Sequence, residues 1–385
     1  MNRGMILLVV AGLFSFARAR AADEPPTKRN KQESATAALE QVKWRDEAKQ
    51  LHDVAGRVLA EAEDGGLLVI GQDGKLWSIE GELISRSETG EVFRPLAPAK
   101  LGKQLQADLG AGFDVVVTKH YVICTSASRE YARYCGALFE RLYVSFHNYW
   151  KQRGFKLAEP EFPLVALIFA GEKEFAGFAT KDAGADAATA KGYFSIDTNQ
   201  MVLYDLTAGK SGNIEGQLAL VPLNIATVIH EATHQIAFNS GMHVRKADNP
   251  LWLLEGMAMY FETPDLSSKS GWKTAGAVND LRLGQFQEFA GRRRPDSLAT
   301  LVSSDARFTD SEQTGDAYAE AWALSHFLIQ RKKDAYIKYL TMLAAKPRLV
   351  IDTPEERLAE FRAAFGADLD QLNSELLKHV RKMKQ

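Results

Sequence analysis

The sequence predicts an α+β fold in which a small β module precedes a larger domain of strands followed by helices. Three observations support this prediction. Short apolar runs separated by Gly-containing turns occupy residues 44–85, strand-like apolar runs dominate residues 115–205, and helical spacing dominates from about residue 224 onward. Strands first and helices afterwards are typical of an α+β domain rather than a doubly wound one.

The composition is that of a globular protein. Apolar residues make up 46% and charged residues 25% of the 385 residues, which excludes a mainly disordered or multi-span membrane chain. The net charge is −2, so we expect no nucleic-acid partner, because such partners require a concentrated basic patch. Two cysteines exclude a disulfide-dense scaffold or a four-cysteine metal site. Any metal must therefore be held by histidine and carboxylate.

The first 21 residues have the pattern of a secretory signal peptide. Arg3 gives a basic start, residues 5–16 are apolar, and small residues follow. The apolar run is short for a bilayer and no later run is long enough, so we expect an exported protein, periplasmic or extracellular, with no membrane span after cleavage. An uncleaved anchor is the alternative.

Export would permit a disulfide between Cys124 and Cys135, and two buried thiols are the other interpretation.

The segment after the signal peptide is divided into a linker and a module. Residues 22–40 are polar without an apolar period, which predicts a linker. Residues 41–88 contain Asp-Gly turns at Asp64 and Asp73, which predict hairpins in a small β-barrel-like module. With its leading Trp44, the module is similar to the SLA1-homology type found in exported bacterial proteins. About forty residues form only a marginal core, so we expect a role in tethering or recognition.

The main domain is predicted to span residues 92–385. Its predicted elements, in order, are a β-rich run at 115–123, a helix at 129–150, a buried strand at 164–170, a hairpin formed by 193–196 and 201–205, helices at 224–240, 250–262 and 316–332, and more helix from 335 onward. The helices after the hairpin contain the residues of chemical interest.

The segment His230-Glu231-Ala232-Thr233-His234 lies in the first of these helices. Four residues advance a helix by about 400°, so the two histidines share a face and can direct ring nitrogens at one cation. Glu231 lies about 60° from His234, close enough to reach a water on that cation without displacing a ligand. The alternative is a solvated polar stripe that includes Thr227.

Glu255 is the only charged residue in the apolar window 250–261 of the next predicted helix. Burial of a carboxylate costs several kcal/mol unless a cation or a proton neutralises it. Two imidazoles and one carboxylate form a tetrahedral zinc site with the fourth position left for water, and Zn²⁺ is the preferred but not the exclusive ion. Gly256 would allow another segment to approach closely. The alternative places Glu255 on the exposed side of a surface helix.

These residues resemble the gluzincin clan of zinc metallopeptidases. The resemblance consists of the His-Glu-x-x-His helix followed by Trp252-Leu253-x-Glu255-Gly256-x-Ala258. It implies a zincin-like fold, with His230, His234 and Glu255 as zinc ligands and Glu231 as general base. Several gluzincins carry an acid four residues after the ligand glutamate, where this chain has Met259. The group that orients the histidines is therefore left open.

A second resemblance covers most of residues 95–340. It is to an uncharacterised family of exported bacterial proteins described as candidate peptidases, of the domain of unknown function 1570 type. The passages that carry it are His120-Tyr121-Val122-Ile123, the helix from Glu130-Tyr131-Ala132 to Phe139-Glu140, Tyr204-Asp205-Leu206, and Tyr318-Ala319-x-x-Trp322-Ala323-Leu324.

Together with the signal-peptide pattern, the gluzincin resemblance implies an exported zinc-dependent peptidase that hydrolyses peptide bonds with a metal-bound water. Tyr318 is the candidate for oxyanion stabilisation, since tyrosine does this in related gluzincins; packing against Trp322 at helical spacing is the alternative. The resemblance also implies that residues 201–205 form an exposed strand that pairs with extended substrate, and an ordinary edge strand is the other interpretation.

Two other functions are compatible with the same residues. One is a catalytically inactive or non-proteolytic zincin-fold interaction module, in which residues 41–88 are the working part. The other is a metal-dependent amidase that acts on non-protein amides. We expect His120 and His243 to be structural or surface residues, and His326 to be a hydrogen-bonded core histidine, with contact to substrate as its alternative.

Overall fold

The computed structural model describes residues 37–62, 64–80, 82–207, 213–219, 222–263 and 275–383. The predicted signal peptide and most of the predicted linker lie outside these residues. Within the described residues the fold is mixed α+β, with two sheets and 13 α-helices. None of the helices described is both long and apolar enough to cross a membrane.

The first sheet consists of antiparallel strands in the order β4-β3-β2-β1-β5. The strands are β1 (Ala38–Arg45), β2 (Leu51–Glu61), β3 (Leu67–Gly71), β4 (Leu76–Ile79) and β5 (Glu82–Val92). The Asp-Gly turns lie where the sequence predicts them, and Gly65 and Gly74 adopt φ of 85°, which glycine reaches at little cost. The sheet spans residues 38–92, wider than the 41–88 predicted for the module.

The second sheet is mixed and has the order β6-β7-β8-β10-β9. Its strands are β6 (Asp114–Val117), β7 (Tyr121–Thr125), β8 (Leu164–Phe169), β9 (Gly192–Phe194) and β10 (Gln200–Tyr204). Strands β7, β8 and β10 run parallel, and β9 folds back antiparallel to β10 as the predicted hairpin.

The hairpin corrects one expectation. Residues 201–205 were expected to form the exposed strand, but β10 lies between β8 and β9, and Met201, Val202 and Leu203 are buried. The apolar run of β10 is typical of a strand covered on both faces. The edge strand next to it is therefore β9.

The helices pack on both faces of the second sheet. They are α1 (Pro98–Leu109), α2 (Arg129–Gln152), α3 (Glu172–Ala183), α4 (Ile214–Ala219), α5 (Pro222–Asn239), α6 (Leu251–Phe261), α7 (Asp280–Ala290), α8 (Ser297–Ser303), α9 (Ala306–Thr309), α10 (Thr314–Arg331), α11 (Lys333–Ala344), α12 (Pro354–Phe365) and α13 (Leu369–Arg381). Helices α1 and α3 cover one face, and α2, α5 and the C-terminal helices form the larger core on the other.

The two cysteines belong to different cores. Cys124 on β7 packs with α1 and α3, whereas Cys135 on α2 packs in the larger core. Both are free, buried thiols, and burial raises the pKa of Cys124 to about 11 and that of Cys135 to about 12. The alternative of two buried thiols is therefore the one observed.

Helices α6 and α10 approach closely at Gly256, because a Cβ there would lie 2.5 Å from the Ala321 carbonyl oxygen and would overlap the Ser325 hydroxyl. We expect Gly256→Ala to lower the free energy of unfolding by about 1–3 kcal/mol, measured by denaturant titration. The control is Gly177→Ala on α3, where a Cβ meets nothing within 4 Å. It should raise that free energy by about 0.5–1 kcal/mol. Equal effects would contradict the close helix contact.

Candidate metal centre

Helices α5 and α6 bring three predicted ligands together. One ligand atom each from His230, His234 and Glu255 lies within 4.8 Å of the others. The Nε2 atom of His230 is 3.0 Å from a Glu255 carboxylate oxygen and 3.0 Å from His234 Nε2, and His234 Nε2 is 3.5 Å from the other Glu255 oxygen. All three side chains are buried, which excludes the surface-helix alternative for Glu255.

The cluster fits a tetrahedral divalent cation. Bonds of about 2.0–2.2 Å place the ligand atoms of such an ion about 3.3 Å apart, close to the separations observed here. Beside the cluster, Glu231 is buried, and its Oε1 atom has no hydrogen-bond partner among the described residues. A buried carboxylate oxygen without a protein donor is available to a water molecule or a substrate.

Burial and the contacts among the clustered side chains shift the pKa values of these residues in opposite directions. Burial alone would raise the pKa of Glu255, but the two histidines lower it to about 2. Burial alone would lower the pKa of His230, but hydrogen bonds to Glu255 and Glu262 raise it to about 10. Burial raises the pKa of Glu231 to about 8 despite the neighbouring His230, and the Glu255 charge adds to that rise. Burial lowers the pKa of His234.

The helix that carries the histidines is fixed to the sheet. The Gln235 amide on α5 donates to the carbonyl oxygens of Val165 on β8, at 2.8 Å, and Asn199 before β10, at 3.1 Å. Helix α6, on which every residue is buried, is held at its start because the Asp305 carboxylate accepts from Leu251 N–H at 2.9 Å.

Glu262 is the carboxylate partner of His230, which the sequence left open. His230 Nδ1 is 2.8 Å from Glu262 Oε1, and Asn279 Nδ2 donates to Oε2 at 2.9 Å. Burial alone would raise the pKa of Glu262, but the Arg282 guanidinium and His230 hold it below its ordinary value. The residue follows Glu255 by seven positions, or about two turns, so the helical period was the signal that could have identified it.

Tyr318 on α10 also reaches the cluster. Its side chain is buried, and its hydroxyl is hydrogen-bonded to the Glu255 carboxylate. Burial and the charge of Glu255 raise its pKa well above the ordinary value. The structure therefore places the candidate oxyanion donor beside a candidate metal ligand.

The other histidines singled out in the sequence lie elsewhere. His120 Nδ1 is 2.6 Å from a Glu140 oxygen, and its ring stacks on Tyr143 at 3.9 Å between centroids. His326 is hydrogen-bonded to the Gly276 carbonyl and to His379. His243 is buried next to Phe238. These contacts agree with the expected structural roles.

The edge strand β9 passes beside Glu231. Phe194 N–H donates to the Glu231 carboxylate, and a Cβ on Gly192 would lie 3.7 Å from Glu231 Cγ. Because Ser195 N–H donates to the Gln200 carbonyl at 2.9 Å, the antiparallel alternation turns the backbone groups of Gly192 and Phe194 away from β10.

Comparison with known proteins identifies one similarity. Residues 224–350 match a family described as "Protein of unknown function (DUF1570)", the uncharacterised family expected from the sequence. The matched span contains α6, α10 and all but the first two residues of α5, and so the entire cluster. No curated protein matches the chain.

The cluster predicts metal binding that depends on His234. We expect the purified protein to carry about one Zn²⁺ per chain and His234→Ala to lose it, because two ligands hold zinc poorly. Metal content is measured by mass spectrometry of the elements. His52→Ala, in the first sheet, is the matched control and should retain the metal. Unchanged zinc in His234→Ala would contradict the site.

Proposed function

We propose that the chain is a zinc-dependent metallopeptidase of gluzincin type with a zincin-like fold. The observation that supports it is the buried convergence of two histidines and a carboxylate from neighbouring helices, with the free oxygen of Glu231 beside them. Three protein ligands are the pattern of a catalytic zinc site, whereas structural sites have four. Peptide hydrolysis is the reaction that this arrangement suits best.

Glu231 is the general base in this proposal. Bound Zn²⁺ would supply a Lewis acid and lower the pKa of a coordinated water towards about 7. In its ionised form, which a bound cation would favour, Glu231 accepts the proton of the attacking water at its free carboxylate oxygen and then passes it to the leaving amine. The Phe194 N–H bond holds the side chain in place during both transfers.

Tyr318 donates to the developing oxyanion. Its hydroxyl is hydrogen-bonded to the Glu255 carboxylate, which supports this role because the donor lies beside the cluster. The raised pKa keeps the hydroxyl protonated at neutral pH, so the donor is present throughout the reaction.

The substrate in this proposal is a peptide, and a non-protein amide is the alternative that the same residues allow. Strand β9 is the edge of the second sheet and lies beside Glu231, but Gly192, Tyr193 and Phe194 are buried. The proposal therefore rests on the cluster and Glu231, and not on a strand that pairs with substrate.

The proposal includes the location of the protein. Residues 1–21 would direct export, and the first sheet, similar to an SLA1-homology module, would serve in tethering or recognition. Its separate sheet and turns support a function apart from catalysis.

Glu231→Gln tests the mechanism. We expect cleavage of a peptide library, followed by mass spectrometry, to fall by about 10²–10⁴-fold while zinc content is unchanged, because the amide cannot accept the proton. Glu375→Gln on α13 is the control and should cleave normally. Undiminished cleavage by Glu231→Gln would refute the mechanism. Zinc without cleavage of any peptide by the native protein would favour an interaction module.

Tyr318→Phe tests the oxyanion role separately from packing. The substitution keeps the ring and removes only the hydroxyl, so we expect kcat to fall by about 10²–10³-fold with KM nearly unchanged. If the residue only packs near Trp322, kcat should match that of the native protein.

A further inference from the structure

His230 uses both of its ring nitrogens in the cluster. Its Nε2 atom faces Glu255 and His234, and its Nδ1 atom is 2.8 Å from Glu262 Oε1. A carboxylate at Nδ1 keeps the proton on that nitrogen, which leaves the Nε2 lone pair directed at a cation. The contact with Glu262 therefore sets both the tautomer and the orientation of the ring.

Glu262 is itself held by the next helix. Asn279 Nδ2 donates to Oε2 at 2.9 Å, and Arg282 donates from Nη2 to Oε1 at 3.2 Å and from Nε to Oε2 at 3.4 Å. Asn279 is also the N-cap of α7, because its Oδ1 atom accepts from Arg282 N–H. The Asn279 side chain thus caps the N-terminus of α7 and also holds the Glu262 carboxylate in position.

The three residues are buried: Glu262 is 6%, Arg282 is 7% and Asn279 is 9% exposed. A buried ion pair that loses one partner leaves the other charge without compensation, so the two charged side chains keep each other in place. Glu262 ends α6, and Arg282 lies in the first turn of α7. A continuous path of polar contacts therefore runs from the metal centre to α7.

We infer that Glu262 and Arg282 are positioning residues for His230, and that through them metal binding and the docking of α7 stabilise each other. The inference rests on the metal site of the proposed function. If docked α7 strengthens metal binding, then metal binding must strengthen docking by the same free energy.

Zinc affinity measures the positioning role. The zinc Kd of the full chain is measured by titration in the presence of a competing chelator. We expect this Kd to rise about 10–100-fold in Glu262→Gln and in Arg282→Met. Arg282→Lys keeps the charge but loses the planar fork, so its Kd should lie between those of Arg282→Met and the native protein. Glu320→Gln is the matched control, since Glu320 on α10 is a buried carboxylate that pairs with Arg293 and Arg307 and not with a residue of the cluster. It should leave Kd unchanged.

Hydrogen exchange measures the coupling to α7. Zinc should slow amide exchange in α7 of the native protein by about tenfold or more, and the effect should disappear in Glu262→Gln. Helix α13, which packs on α8 and α10, is the internal reference and should change little.

Each result decides the inference. If the native protein binds zinc and the Glu262 and Arg282 variants bind it with the same Kd, the inference is overturned and the proposed function still stands. The same conclusion follows if the metal-free variants unfold at a lower temperature but their zinc Kd is unchanged. No zinc in the native protein overturns both. If Glu262→Gln fails to fold, a higher zinc Kd in Arg282→Met than in Arg282→Lys supports the inference, and equal Kd values overturn it.

Discussion

The structure depends on one buried charge. Helix α6 is buried at every residue, yet it carries the Glu255 carboxylate at its centre. Such a group is stable only with compensating positive charge or donors. His230, His234 and the Tyr318 hydroxyl converge on it from α5 and α10, and all the candidate chemistry lies around it. A cation at this point would satisfy the charge more fully than the histidines alone.

Placement of that carboxylate in turn requires α6 to be fixed at several points. Gly256 lets α10 approach α6 closely at Ala321 and Ser325, and the Asp305 carboxylate caps the first turn of α6. Arg357 on α12 binds Asp305 at 2.8 Å and Asp248 at 3.0 Å, so the segment before α6 is tied to the C-terminal helices. The site is therefore supported by parts of the chain far from it in sequence.

Local patterns predicted many of the elements and the three residues that converge in the cluster, but not the surroundings of the cluster. The i, i+4 histidines and the isolated Glu255 are visible in the sequence because each departs from its local context. Glu262 was not predicted because the resemblance points to the position four residues after Glu255, whereas Glu262 follows Glu255 by seven. The bond between Arg357 and Asp248 joins residues 109 positions apart, and no local period reveals such a pairing. Helices α1, α3, α4 and α7 to α9 were not predicted either, and α1 and α3 lack the side-chain N-cap that would mark their start.

The separation of the two thiols by the second sheet has a consequence for how the protein can be made and handled. Because Cys124 and Cys135 occupy opposite faces and stay protonated, an oxidant should not join them in a disulfide within the folded chain, and a reductant has no such bond to break. Folding then needs no disulfide-forming machinery, and sulfur should not compete with imidazole for a thiophilic ion. Reducing agents can accompany purification without exposing a hidden crosslink.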